Sequence, residues 1–264
     1  MPLKTVLQAY MFPNIAFTLL AAGTLLSGSL HATAPDTNEY SIPGDSNTTS
    51  LETFFTDADT FYHRWVVKGK VDYAGIEADR AGLDALYAFI GAADLSTADK
   101  NTQTAFYINA YNLVTIYSVV SKLPISSPLD VTGFFDAKKH QVAGSYMTLN
   151  ELENKKLRPD ARVHFVLVCA ANGCPKLQSE AYIPSKVQDQ MNAATRAAMN
   201  DNTFIRVSHD GKKVMISQIF DWYKDDFIQS EGSDMAFINK YRNTKIPDTY
   251  TKEFYPYDWK LNKQ

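Results

Sequence analysis

The sequence predicts an α+β fold, a single domain with several helices packed around a small, mainly antiparallel sheet. Two observations carry this. Apolar residues recur at helical spacing over long windows, above all Ser96 to Leu123, whereas alternating runs are few and short. The clearest hairpin, "TFIRVSHDGKKVMIS", joins its two runs through Asp210-Gly211, a favoured two-residue turn between antiparallel strands.

Taken in order, the chain begins with a segment that belongs to targeting. Lys4 is a thin basic start, and Ile15 to Leu26 ("IAFTLLAAGTLL") is an apolar run of 12. That length suits the hydrophobic region of a signal peptide; a bilayer span needs about 20 residues. Small residues follow in "SGSLHATA", with Ala32 and Ala34 as candidate cleavage points. Residues 1–34 are expected to be a signal peptide, or an N-terminal anchor if retained, and the protein to be exported, periplasmic or secreted. Residues 35–50 are polar and read as a flexible lead-in. Residues 51–264 are long enough for one globular domain with a sizeable core.

Leu51 to Val67 carries Phe54, Phe55, Phe61 and Trp65 at helical spacing, and a second helix is expected over Asp79 to Ala93. The third runs from Ser96, with Asp99 three residues on as a capping-box-like start, to Leu123 before Pro124. Loop and short strands follow to Met147. Thr148 with Glu151 caps a short fourth helix ending near Arg158. "VHFVLVC", Val163 to Cys169, alternates and is apolar on both faces except at His164, which predicts a central strand. Pro184 to Asn200 forms a helix, the hairpin follows, and Ser217 and Ser233 cap two more helices. The end, "YPYDWKLN", is extended.

The formal charge of −3 comes without a Lys/Arg cluster, which argues against a nucleic-acid partner. No later apolar run is long enough to span a bilayer, so no membrane contact is expected of the mature form. Cofactor motifs are absent, and no cofactor is expected.

Chemistry concentrates in "CAANGC". Cys169 and Cys174 are the only two cysteines. In an exported chain a local disulfide is one reading, because a four-residue spacer with Asn172-Gly173 can bring Cα atoms to bridging distance. A second is an activated nucleophile, with His164 or His140 as base and Glu153, Asp221 or Asp258 as orienting acid. A metal site from His164, Cys169 and Cys174 is the third, disfavoured because zinc prefers closer pairs and a fourth ligand. On the third helix, Asn109 and Asn112 lie along the apolar stripe of Phe106, Leu113, Ile116 and Val120. A buried amide needs partners. These two are expected to clamp backbone of the loop Ala170 to Pro175, or else to line a pocket. His164 is expected to be buried, one ring nitrogen on a carboxylate or carbonyl.

The ordered blocks "GKVDYAGI", "FYINAYNLVTIYSVV", "MTLNELENKKLR", "RVHFVLVCAANGCPKL", "ISQIFDWYKDDF" and "YDWKLN" resemble the family catalogued as domain of unknown function 547, over about Gly69 to Asn262. The family has no agreed activity; its bacterial members are commonly exported, and eukaryotic members carry it beside coiled-coil or signalling modules. The resemblance implies that Asn109, Asn112, Glu153, Arg158, His164, Cys169, Cys174 and Pro175 stand at motif positions. The sequence departs at Leu152-Glu153-Asn154, where the family usually reads Ile-Glu-His. Some eukaryotic relatives lack the second cysteine.

Two functions are therefore weighed. One is a cysteine-dependent hydrolase or acyl transferase, related in chemistry to papain- and transglutaminase-like enzymes, acting on a peptide or small envelope substrate. In it Cys169 or Cys174 attacks, and Asn109 or loop N–H groups steady an oxyanion. The other is a non-catalytic binding or scaffold domain, engaging a protein partner, with a disulfide-braced loop. Asn112, Arg158, His140 and Asp258 are the candidate binding residues.

Overall fold

Ser50 opens the first helix: its hydroxyl accepts a hydrogen bond from the Thr53 N–H at 3.2 Å, and α1 (Leu51–Trp65) follows. The structure, a computed structural model, describes residues 50–264. The expected signal segment, and all of the expected lead-in except Ser50, lie outside the described residues. Helix α1 buries Phe54, Phe55, Ala58, Phe61 and Tyr62. It gives way to a minimal antiparallel pair, β1 (Val66–Val67) and β2 (Lys70–Val71), turned through Lys68 and Gly69 in the left-handed region.

Helix α3 (Ala81–Ala92) stands where the second helix was expected, and a short helix that was not expected, α2 (Tyr73–Ala78), precedes it. Helix α4 (Lys100–Val120) starts four residues later than Ser96. Asp99 is its cap, accepting from Thr102 N–H at 2.8 Å, while the Ser96 N–H is taken by Asp94. The hairpin of β3 (His140–Val142) and β4 (Ser145–Met147) leads into α5 (Leu149–Leu152). Its capping box closes as expected: Glu151 N–H donates to Thr148 Oγ1 at 3.1 Å, and Thr148 N–H to Glu151 Oε2 at 3.0 Å. The helix then widens to π geometry over Glu153–Leu157.

The expected central strand does not form. Ala161–Phe165 is a 3-10 turn capped by Asp160, whose carboxylate accepts from Arg162 N–H, and Val166–Cys169 runs on irregularly. The alternation has a different cause. Val163, Val166, Leu167 and Val168 pack into one hydrophobic cluster, and Ala161, Phe165 and Ala171 into another. A segment lying between two cores is apolar on both sides whatever its backbone does, so periodicity alone cannot identify it.

After it come α6 (Val187–Asn200), β5 (Ile205–Ser208) and β6 (Lys213–Ser217). Ser208 pairs with Lys213, so the connection is four residues long and places Lys212, not Gly211, at positive φ. The expected aromatic helix is broken at Tyr223 into α7 (Ile219–Trp222) and α8 (Lys224–Glu231). Helix α9 (Asp234–Tyr241) is capped by Ser233 as expected. Strand β7 (Thr251–Tyr255) joins β6 in parallel, completing a three-stranded sheet with one antiparallel and one parallel pair.

Among the described residues, helices and three small sheets make an α+β domain. Helix α4 is its axle, packing against α2, α3, α5 and α6. It is buried nearly all round, so the single stripe expected for it understates its position. Phe106, Ile108 and Leu113 are wholly buried there, each worth about 1.5–3 kcal/mol. Among the described residues no helix is long and apolar enough to cross a membrane.

Candidate functional site

The turn Ala161–Phe165 is held between α6 and α8, and this sets the position of His164. Its ring is buried, with Nε2 2.7 Å from Asp226 Oδ2 and Nδ1 3.5 Å from Glu153 Oε1. The second contact is at ion-pair range without hydrogen-bond geometry. Arg158 grips Asp226 bidentately, Nε and Nη2 each at 2.7 Å, and also donates to Asn154. The Tyr223 ring, from the residue between α7 and α8, stacks on His164 at 3.8 Å.

Burial alone would depress the His164 pKa. The hydrogen bond to Asp226 and the neighbouring Glu153 outweigh it and hold the imidazole above its ordinary value. Asp226 responds in the opposite sense. Burial pushes it up, but His164 and Arg158 pull it down to about 2. The group is a buried ion network with each charge facing an opposite one.

Cys169 and Cys174 are joined as a disulfide with Cα atoms 6.4 Å apart. The Tyr257 hydroxyl lies 3.1 Å from Cys169 Sγ and 3.0 Å from Cys174 Sγ, and the Cys169 N–H donates to Cys174 Sγ at 3.0 Å. The Tyr257 phenol is pushed far above its usual range by burial. Gly173 lies on the Tyr257 ring so closely that a Cβ there would meet ring carbons at 2.8 Å. That contact explains the glycine in "CAANGC". The loop is also stitched to the C-terminal segment: Asn172 N–H donates to Lys260 O and Gly173 N–H to Asp258 O, both at 2.8 Å.

The two asparagines of α4 act as clamps. Asn112 Nδ2 donates to Val166 O and its Oδ1 accepts from Val168 N–H, both at 2.9 Å. These bonds satisfy backbone that a strand neighbour would otherwise serve, immediately before the cysteine loop. Asn109 goes elsewhere, to the backbone of Tyr182: Nδ2 to O at 2.7 Å and N–H to Oδ1 at 3.1 Å. Neither amide, then, bonds the loop Ala170 to Pro175 as expected: Asn112 holds the run just before it and Asn109 the backbone of Tyr182.

His140 sits apart from the cysteines. Its Nδ1 is 2.9 Å from the Tyr87 hydroxyl and its Nε2 3.4 Å from Ser118 Oγ. Burial, with Lys138 adding, pushes its pKa down to about 4. An unfolded histidine titrates near 6.5, so between about 6.5 and 4 the unfolded chain takes up a proton that the native ring refuses. Stability is expected to fall across that window as pH drops, by on the order of 2 kcal/mol from this residue. His140→Gln should lose less than wild type between pH 7 and 4.5 in urea titrations; equal losses would remove His140 as the cause.

Asp258 is exposed, and its carboxylate receives Lys260 N–H at 3.0 Å and Asn172 Nδ2 at 3.2 Å. Among the described residues no group of three or more His, Cys, Asp or Glu is placed to hold a metal ion. Sequence reasoning missed Asp226, Tyr223 and Tyr257. A signal for Asp226 exists, since it falls beside Phe227 and one turn from Tyr223, a carboxylate on an apolar helix face.

The family model described as "Protein of unknown function, DUF547" matches residues 95–197, less than half of the chain. It takes in Asn109, Asn112, Glu153, Arg158, His164 and both cysteines, and leaves Asp226 and Tyr257 outside. No curated protein and no solved structure matches the chain.

Proposed function

We propose that the chain is an exported, periplasmic or secreted binding domain of this family, engaging an envelope peptide, a small molecule or a protein partner beside the braced loop Ala170 to Pro175. One observation carries the reading: the sulfurs are bonded to each other, and both nitrogens of His164 face carboxylates. The apolar run Ile15 to Leu26 supports export, and an oxidising compartment suits the disulfide.

Cysteine-dependent hydrolysis or acyl transfer at a peptide or amide bond is less well supported. A thiol freed by reduction would meet the Tyr257 hydroxyl, a poor base because a phenol must ionise to accept a proton strongly and burial opposes that. The second histidine proposed as base, His140, is committed to Tyr87 and Ser118.

The test is a thiol count on folded, non-reduced protein. Both cysteines should resist alkylation at neutral pH, and the mass should be two hydrogens below that of the reduced chain. A rapidly alkylating thiol in that preparation would reverse the proposal in favour of the nucleophile.

A further inference from the structure

The braced loop forms one wall of a cleft of about 310 Å³ that Cys174 also lines. Small-ligand sites begin at about this size. Its charged lining is uneven: Lys68, Lys70, Lys176 and Arg206 against Asp201 and Asp258. Asp201 is paired with a cation, whereas Asp258 accepts only from neutral donors and keeps its charge, so the unpaired lining is three cations against one anion. Asp201 takes Lys176 at 2.7 Å and both the N–H and the hydroxyl of Thr203. Asp258 takes Asn172 and the Lys260 N–H.

Three cations remain unneutralised by direct pairing. Lys70 donates only to the Asn172 amide oxygen. Arg206 spends Nε on the Thr203 carbonyl at 3.0 Å, and its guanidinium carbon lies over the Tyr255 ring, 3.9 Å from the centroid. The Nε bond and the ring contact tether the guanidinium, and both Nη groups are left to donate. Lys68 has no partner among the described residues, and its positive φ sets it on the β1–β2 turn at the rim. The N–H groups of Asn172, Gly173 and Cys174 are spent on backbone carbonyls, so recognition along that stretch falls to side chains.

We infer that this cleft binds a small anion carrying at least two negative charges, a phosphate ester or a polycarboxylate. The inference rests on the binding-domain reading and gives its ligand a chemical class. Lysine ammonium groups supply charge without directional demand, while an arginine presents a planar pair of donors that matches carboxylate or phosphate oxygens. Low-dielectric walls concentrate the field of such a group of cations. The Tyr255 ring and Phe204 provide an apolar side for the rest of the ligand.

The experiment uses the full chain and follows its thermal midpoint against inorganic phosphate and against citrate, each compared with sodium chloride at equal ionic strength. A saturable rise with either probe beyond the chloride curve is the expected result, since a ligand that binds only the native state raises its midpoint. The probe that saturates at lower concentration identifies the phosphate or the carboxylate source. In a Lys68→Ser, Arg206→Gln double variant the half-saturating concentration should increase about tenfold or more. Both positions are exposed, and Lys224→Ser on α8 serves as the charge control that should leave it unchanged. Two results overturn the inference: both probes following chloride, or the double variant and the control shifting alike. If the thiol count meanwhile shows the disulfide intact, the binding-domain proposal survives that failure.

Discussion

Asp226→Ala is expected to destabilise the fold by about 3–5 kcal/mol, the usual cost of removing one partner from a buried ion pair. The substitution strips Arg158 of both its 2.7 Å bonds and His164 of its Nε2 partner in a single step. What remains is a half-buried guanidinium and a buried imidazole whose protonated form has lost its main support. Urea denaturation near pH 6 measures the effect, and a loss under about 1 kcal/mol would mean that water reaches the network and screens it.

The pH dependence gives a second handle on the same residue. Asp226 has a depressed pKa, so its contribution is present above its ordinary value near 3.9 and disappears as pH falls through about 2. His164 has a raised one. Its contribution is complete below about 6.5 and is lost as pH rises through its native value. The gap between wild type and Asp226→Ala should therefore be widest in mildly acidic solution and narrow toward both extremes. A gap that grows steadily above pH 8 would contradict this account.

Asn112→Ala is expected to cost about 3 kcal/mol or more. The amide serves Val166 O and Val168 N–H, and removing it leaves two buried backbone groups unsatisfied, each at about 1–3 kcal/mol. The damage should be local before it is global. Amide exchange at Val168 should accelerate by more than that at Tyr182, whose clamp is Asn109. Equal acceleration at the two sites would show that the whole of α4 had shifted and not that one clamp was lost.

Much of this architecture is legible in the chain because its causes are local. Thr148 and Glu151 specify their helix start three residues apart, Ser233 does the same for α9, and Pro124 marks where α4 must stop. The buried asparagines are legible too, since an amide among Phe106, Leu113 and Ile116 has to find backbone somewhere. Which backbone it finds is another matter: Asn109 and Asn112 are less than one turn apart yet hold segments at Tyr182 and Val166.

By itself, then, the sequence determined the α+β class, the helix caps at Thr148 and Ser233, the burial of His164 and the nearness of two cysteines separated by a short turn. Tertiary structure alone decided the remainder. Val163 to Cys169 became a turn and an irregular run because two cores close on it from opposite sides and Asn112 takes its hydrogen bonds. His164 was assigned its carboxylates, Asp226 from 62 residues away on α8 and Glu153 from the π turn, only when those elements packed around it. Tyr257 reached the sulfurs through the fold-back of the C-terminal segment onto the loop. The physical reason is the range of the forces involved. Caps and turns are settled by hydrogen bonds within three or four residues, whereas the partner of a buried charge is whichever opposite charge the packed core brings within about 4 Å.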